Sequence, residues 1–104
     1  MYRGVEEIMD IVIYTNPETL LHKRQPDFDC YWSTRRPPKN FKEGDRIWFA
    51  VKGEVHGSFL CNYFDPEDPE ETIEWKSDSW EQNDEIEEHF FCKPFRGFRY
   101  RWWK

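Results

Sequence analysis

Residues 41–66 read FKEGDRIWFAVKGEVHGSFLCNYFDP, and this stretch carries the most ordered pattern in the chain. Two apolar runs flank Lys52-Gly53, and a glycine in a two-residue connection favours the tight turn of a β-hairpin. The pair Gly44-Asp45 predicts a turn before the first run. Gly57 interrupts the second run and predicts a β-bulge, where a strand bends around a barrel. The stretch therefore predicts a bent antiparallel hairpin that forms the scaffold of the domain.

The chain before the hairpin is predicted to contain a first strand, a short helix and a long loop. Residues 8–17, IMDIVIYTNP, are an apolar run closed by Asn-Pro, which is typical of a strand that ends in a turn. The next residues, PETLLHKR, predict a two-turn helix with Asn16 as N-cap and Pro17 at its first position. Residues 25–40 show no hydrophobic period and contain three prolines, so we expect irregular loop there.

The chain after the hairpin is predicted to add two strands and one short helix or turn. Residues 72–80 alternate as a strand does, residues 83–90 predict a short helix or turn, and residues 94–103 predict a final strand. In that strand we expect Phe98 and Tyr100 to point inward and the arginines outward. Together the elements predict a single domain, residues 1–104, of the α+β class: a small, bent, mostly antiparallel β-sheet that closes toward a barrel, with one or two short helices.

The composition indicates a small core built from aromatic rings. Twenty residues are Trp, Phe or Tyr, and each large ring buries roughly 150–250 Å². The sequence shows neither a signal-peptide pattern nor a run of about 20 apolar residues, so we expect a soluble, cytoplasmic protein with no membrane contact. The three cysteines are an odd number, which favours reduced thiols over a disulfide framework.

The charges are segregated along the chain, although the net charge is −6. Residues 1–64 carry nine basic and nine acidic side chains, residues 65–88 carry twelve acids and one lysine, and residues 89–104 carry five bases and no acid. Nucleic-acid binding depends on positive surface. The negative total does not exclude such binding, because the C-terminal end of the chain is basic.

Three segments follow one another in a distinctive order: a loop tryptophan, then GDRIWFAVKGEVHGSFLCNYFDP, then KPFRGFRYRWW at the end. This order resembles the PUA-like superfamily, and within it the small pseudobarrels of the ASCH and EVE types. The resemblance covers roughly residues 8–103 and implies a PUA-like pseudobarrel that binds RNA or a modified nucleobase in a cleft beside the barrel. Some ASCH proteins are small amidohydrolases with a G-x-K-x-x-E-x-R segment after the first strand, and this chain lacks that segment.

The segment CYWSTRR, residues 30–36, is the strongest candidate for a binding site. An indole ring offers a stacking surface, hydroxyls can bond to a base edge, and guanidinium groups can contact phosphate. The alternative is that Trp32 plugs the barrel while its basic neighbours are solvated. The C-terminal segment interleaves rings with bases and supplies a second basic strip. The predicted nucleic-acid-binding residues are Trp32, Ser33, Thr34, Arg35, Arg36, Arg96, Arg99 and Arg101.

Two other functions stay open at this point. A small amidohydrolase would act on a modified nucleoside and could use Lys23, Thr34 and Glu54 as a catalytic set, provided that the lysine is desolvated. A protein-interaction module would use the acidic residues 65–88 to bind a basic partner. The acids lack the ligand spacing of a calcium loop and the cysteines and histidines form no zinc motif, so we expect no metal and no cofactor.

Overall fold

The computed structural model describes residues 9–25, 30–34, 36–67 and 72–103. In this part of the chain one seven-stranded sheet is accompanied by one α-helix and one 3-10 turn, so the predicted α+β class is confirmed. The elements are β1 (Ile11–Thr15), α1 (Pro17–Lys23), β2 (Tyr31–Ser33), β3 (Arg46–Val51), β4 (Glu54–Phe64), β5 (Thr72–Trp75), β6 (Glu81–Gln82), the 3-10 turn (Glu88–Phe90) and β7 (Phe98–Tyr100).

The predicted hairpin is confirmed as strands β3 and β4. Lys52 and Gly53 connect them with φ angles of 51° and 90°, and a two-residue turn with positive φ at both positions matches the twist of the flanking strands. The register shifts just after the pair formed by Phe49 and Gly57, where β4 carries one residue more than β3. The predicted bulge is therefore confirmed, and it bends β4 next to the glycine.

The strands follow the order β2-β5-β4-β3-β1-β7 across the sheet, and β6 pairs with β4 outside this path. Among the described strands β1 and β3 run parallel, whereas the other neighbours are antiparallel. The sheet curls so far that Trp32 of β2 contacts Phe49 of β3. The predicted bent, mostly antiparallel sheet is thus confirmed as a half-barrel, and β2 and β7 are the edge strands at the two ends of this order.

Two hydrophobic clusters lie on opposite faces of β1, because side chains alternate along a strand. Ile11 and Ile13 belong to the larger cluster, which fills the inside of the curl. Val12 belongs to a smaller cluster that the C-terminal part of the chain covers with Phe90 and Trp103. Ile11, Val12 and Ile13 are all fully buried, which explains why the first three residues of β1 are apolar instead of alternating.

Helix α1 begins where the sequence predicts. The side chain of Asn16 accepts a hydrogen bond from the N–H of Thr19 at 2.8 Å, and Pro17 occupies the first helical position. The buried side chain of Leu20 attaches the helix to the larger cluster. Within the described ranges no helix is long and apolar enough to cross a membrane.

The prediction of irregular loop is wrong for residues 31–33. These residues form β2, because their backbone pairs with β5 in an antiparallel register. The predicted strand over residues 72–80 is too long, since β5 ends at Trp75. The chain turns there, and both the N–H and the hydroxyl of Ser79 bond to the carbonyl of Lys76.

The C-terminal elements are shorter than predicted. Residues 83–90 contain a single 3-10 turn, and the final strand is limited to three residues. Phe98 packs against the larger cluster as expected, but Tyr100 is 40% exposed, so the inward position predicted for it is wrong. Its hydroxyl accepts a hydrogen bond from the backbone N–H of Lys39 at 2.7 Å, which holds the ring at the surface.

The three cysteines are free thiols, as predicted. Burial raises the pKa of Cys61 to about 12 and also raises the pKa of Cys92. Cys61 is fully buried in the larger cluster and stays protonated at neutral pH. It therefore acts as a small apolar side chain in the core rather than as a nucleophile.

Candidate functional site

An open groove of about 770 Å³ lies between the two edges of the curled sheet. Edge strand β2 forms one wall, and the segment that leads into edge strand β7 forms the other. The groove exists because the sheet does not close into a complete barrel. The described residues that line it are Tyr14, Trp32, Ser33, Thr34, Arg36, Phe95, Arg96, Gly97 and Phe98.

Trp32 is half-buried and borders the groove from the side of β2. Its ring meets the ring of Phe49 edge-on, with 5.7 Å between centroids, and packs against the larger cluster. The ammonium group of Lys23 lies 5.8 Å from the centre of the indole. The indole is therefore held by the core on one side and borders the open groove on the other. Its role in binding stays a prediction.

Arg36 and Arg96 make the groove positively charged. The guanidinium of Arg36 lies 5.9 Å from the centre of the Phe98 ring, and Arg96 is exposed. Among the described residues no carboxylate pairs with either arginine, and no acidic side chain lines the groove. This arrangement favours an anionic ligand, although the chain as a whole is negative. Arg35 was also predicted for this site and lies outside the described residues.

The two other predicted arginines do not line the groove. The guanidinium of Arg99 lies 4.8 Å from the centre of the Phe95 ring. Nη1 of Arg101 lies 3.0 Å from Oδ2 of the buried Asp10, and only 20% of the Arg101 side chain is exposed. The charge of Arg101 is thus neutralised inside the fold. The structure brings Trp32, Ser33, Thr34, Arg36 and Arg96 together and leaves these two arginines apart.

Three aromatic residues of the groove were not predicted as site residues. Tyr14 and Phe95 meet edge-to-face with 5.5 Å between ring centroids, and the hydroxyl of Tyr14 accepts a hydrogen bond from the N–H of Gly53 at 2.6 Å. Phe98 lies beside them at the start of β7. Tyr14 differs from the apolar residues before it, which is a weak signal. The aromatic residues that lie beside Tyr14 are distant from it in sequence, and only the pairing of β1 with β7 indicates that they are close in space.

The three residues considered for hydrolysis are not gathered in one hollow. Thr34 lines the groove, whereas Glu54 lines a separate hollow together with His56. The ammonium of Lys23 donates to the carbonyl of Tyr31 at 2.8 Å. The geometry gives this catalytic set no support. Likewise, in the described ranges no group of three or more His, Cys, Asp or Glu side chains is placed to bind a metal ion.

Comparisons with protein-family models, with curated proteins and with solved structures find no match to this chain. The resemblance to PUA-like pseudobarrels therefore stays a prediction. The functional conclusion depends on the geometry and the charge of the groove.

Proposed function

We propose that this domain binds single-stranded RNA, or a modified nucleobase within it, in the groove between β2 and β7. The observation that carries the proposal is the composition of the groove. A half-buried indole and two arginines that pair with no carboxylate of the described residues border about 770 Å³ of open space, in a chain whose net charge is −6. Rings and guanidinium groups in one cleft are the groups that single-strand recognition uses.

Trp32 is the stacking group in this proposal. Stacking of a base on an aromatic side chain contributes about 1–3 kcal/mol, and the contact with Phe49 holds the indole in place before a ligand arrives. Ser33 and Thr34 follow it and carry hydroxyls that can donate to or accept from a base edge. Bases in a duplex are already stacked and paired, so this site favours unpaired nucleotides.

Arg36 and Arg96 are the phosphate contacts. Contacts between guanidinium groups and phosphate provide affinity that does not depend on sequence, and the stacked base provides selectivity. The acidic side chains described between residues 65 and 88 lie outside the groove lining. They repel RNA from the rest of the surface and thereby restrict binding to the groove.

We extend the proposal to the type of fold and to the location of the protein in the cell. A cleft beside a half-barrel is what the PUA-like resemblance implies, and we propose that the domain is a pseudobarrel of this kind, of the ASCH or EVE type. An RNA ligand agrees with a cytoplasmic location, which we also propose.

The double variant Arg36→Ala/Arg96→Ala is expected to bind a short, fluorescein-labelled single-stranded RNA roughly 25-fold more weakly at about 0.1 M salt. Each phosphate contact with a single strand contributes about 0.7 to the slope of log affinity against log salt concentration, so two lost contacts reduce the slope by about 1.4. Fluorescence anisotropy over a salt series measures both quantities.

The double variant Lys42→Ala/Lys76→Ala is the matched control, because it removes the same charge from two exposed residues that do not line the groove. We expect its affinity for RNA to change less than about threefold, because these substitutions alter only the overall electrostatic potential of the protein. Equal losses in the two double variants would mean that RNA is attracted without a site, and the proposal would then be wrong.

A further inference from the structure

A row of ring contacts leads out of the groove. Phe95 lines the groove and meets Tyr14 there, with 5.5 Å between the ring centroids. The ring of Phe95 also meets the ring of Trp102 edge-to-face, with 6.4 Å between centroids. Trp102 itself does not line the groove. The groove therefore continues as an aromatic surface beyond the residues that border its open space.

Trp102 is exposed and yet held in place. The residue is 39% exposed, which is a large fraction for a tryptophan. Its Nε1 donates to the backbone carbonyl of His89 at 2.6 Å, and its ring meets that of Trp103 edge-on, with 5.2 Å between centroids. Trp103 is buried in the smaller cluster and anchors the neighbouring indole. The ring of Trp102 is thus fixed before a ligand arrives and keeps part of its surface open to solvent.

Arg99 supplies a positive charge beside this row. Its guanidinium lies 4.8 Å from the centre of the Phe95 ring, and the residue is exposed. In the part of the chain that the structure describes, no carboxylate forms an ion pair with Arg99. Stacking on a ring uses the face of a guanidinium and leaves the N–H donors in its plane for a phosphate. Arg99 and Trp102 therefore place a phosphate contact and a stacking surface on either side of Phe95.

The groove alone is too small for a long strand. Cavities of about 300–1,000 Å³ hold one drug-sized ligand, and the groove measures about 770 Å³, so one or two nucleotides fill it. OB folds, which are also strongly curled sheets, contact at least about four nucleotides of a single strand. A longer strand in the groove has to continue outside it, and the contacts of Phe95 provide an aromatic path for that continuation.

We propose that Trp102 stacks a second base of the bound RNA and that Arg99 contacts a phosphate between this base and the groove. This inference rests on the function proposed for the groove, and it defines the ligand as a strand of at least about four nucleotides rather than a free nucleobase. Stacking on an exposed ring tolerates any sequence, because every base has a flat face. Trp102 thus adds affinity, whereas selectivity belongs to the groove and to Trp32.

NMR titrations of the ¹⁵N-labelled protein with uridine oligonucleotides of two and of six nucleotides test the inference. We expect Trp102→Ala to bind the hexanucleotide about tenfold more weakly, the loss typical of one stacked base. The same variant should bind the dinucleotide within about twofold of the wild-type protein, which also shows that the variant is folded. Arg99→Ala should reduce the salt slope of log affinity by about 0.7 for the hexanucleotide and leave the slope for the dinucleotide unchanged.

Two further variants serve as controls. Phe91→Ala removes a ring that is 50% exposed and does not line the groove, and its affinity for the hexanucleotide should change less than about twofold. Trp102→Phe keeps a flat ring at the position and should bind the hexanucleotide within about threefold of the wild-type protein. Together these variants separate stacking at one position from a general effect of exposed rings.

Three results would overturn the inference: unchanged binding of the hexanucleotide by Trp102→Ala, an equal loss for both oligonucleotides in this variant, or a loss of the same size in Phe91→Ala. The function proposed for the groove has a separate criterion, because it fails if Arg36→Ala/Arg96→Ala leaves binding of the dinucleotide intact. A dinucleotide that depends on these two arginines, together with a hexanucleotide that is insensitive to Trp102, would refute the extended path and leave the groove standing.

Discussion

Asp10→Ala is expected to lower the free energy of unfolding by about 3–5 kcal/mol, the loss typical of a buried ion pair that loses one partner. Asp10 is 1% exposed, and its carboxylate accepts hydrogen bonds from three donors: the backbone N–H of Arg46 at 2.8 Å, Nε1 of Trp48 at 2.9 Å and Nη1 of Arg101 at 3.0 Å. It thereby joins β1, β3 and the C-terminal segment. Urea unfolding measures the loss.

The exposed residue Asp78 provides the matched control, and Asp78→Ala should change the stability by no more than about 0.5 kcal/mol. The double variant Asp10→Ala/Arg101→Met should be more stable than Asp10→Ala alone, because it leaves no uncompensated cation in the fold. A loss below about 1 kcal/mol for Asp10→Ala would show that this carboxylate does not hold the three segments together.

Gly57→Ala is expected to lower the free energy of unfolding by about 3 kcal/mol, through overpacking in a site that cannot relax. A Cβ at this position would lie 2.5 Å from the carbonyl oxygen of Glu81 and 2.5 Å from Cζ2 of Trp80. The first contact is with backbone that pairs with β4, so the methyl group must separate β6 from β4. Thermal unfolding measures the destabilisation.

Amide hydrogen exchange locates the structural change in Gly57→Ala. The N–H of Asn83 bonds to the carbonyl of His56 at 2.8 Å, next to the bulge, and should exchange faster in Gly57→Ala. Gly44→Ala is the contrasting variant, because Gly44 has a φ of +99° and open space around a Cβ. It should lose about 1–2 kcal/mol through backbone strain alone and leave the Asn83 N–H protected. Unchanged exchange at Asn83 in Gly57→Ala would contradict the role assigned to close approach.

Elements encoded by neighbouring residues could be predicted from the sequence. The turn at Lys52-Gly53 and the cap at Asn16-Pro17 depend on the backbone preferences of two residues each, and both are confirmed. The strand β2 could not be predicted, because it is three residues long and exists through its pairing with β5. Short strands within polar segments carry no period of their own.

The candidate site likewise combines residues that are close in sequence with residues that only the fold brings together. Trp32, Ser33, Thr34 and Arg36 are close in sequence, so a search for rings beside hydroxyls and bases finds them. The contribution of Tyr14 to the groove depends on contacts between segments about 80 residues apart.

The buried ion pair between Asp10 and Arg101 could not be predicted from the sequence. An acid before an apolar strand gives no sign that it will be buried, and its cationic partner lies 91 residues further along the chain. As a result, the sequence pattern predicts Arg101 as part of a basic strip that contacts phosphate. The structure instead uses this charge to neutralise a buried carboxylate.

The indole N–H signals of the six tryptophans provide the most direct test of where RNA binds. On addition of a short single-stranded RNA to the ¹⁵N-labelled protein, the signal of Trp32 should shift and saturate. The signal of Trp75 should not move, because that ring is 2% exposed in the larger cluster. A Trp32 signal that stays unchanged while RNA binds would contradict the assignment of the groove as the nucleic-acid site.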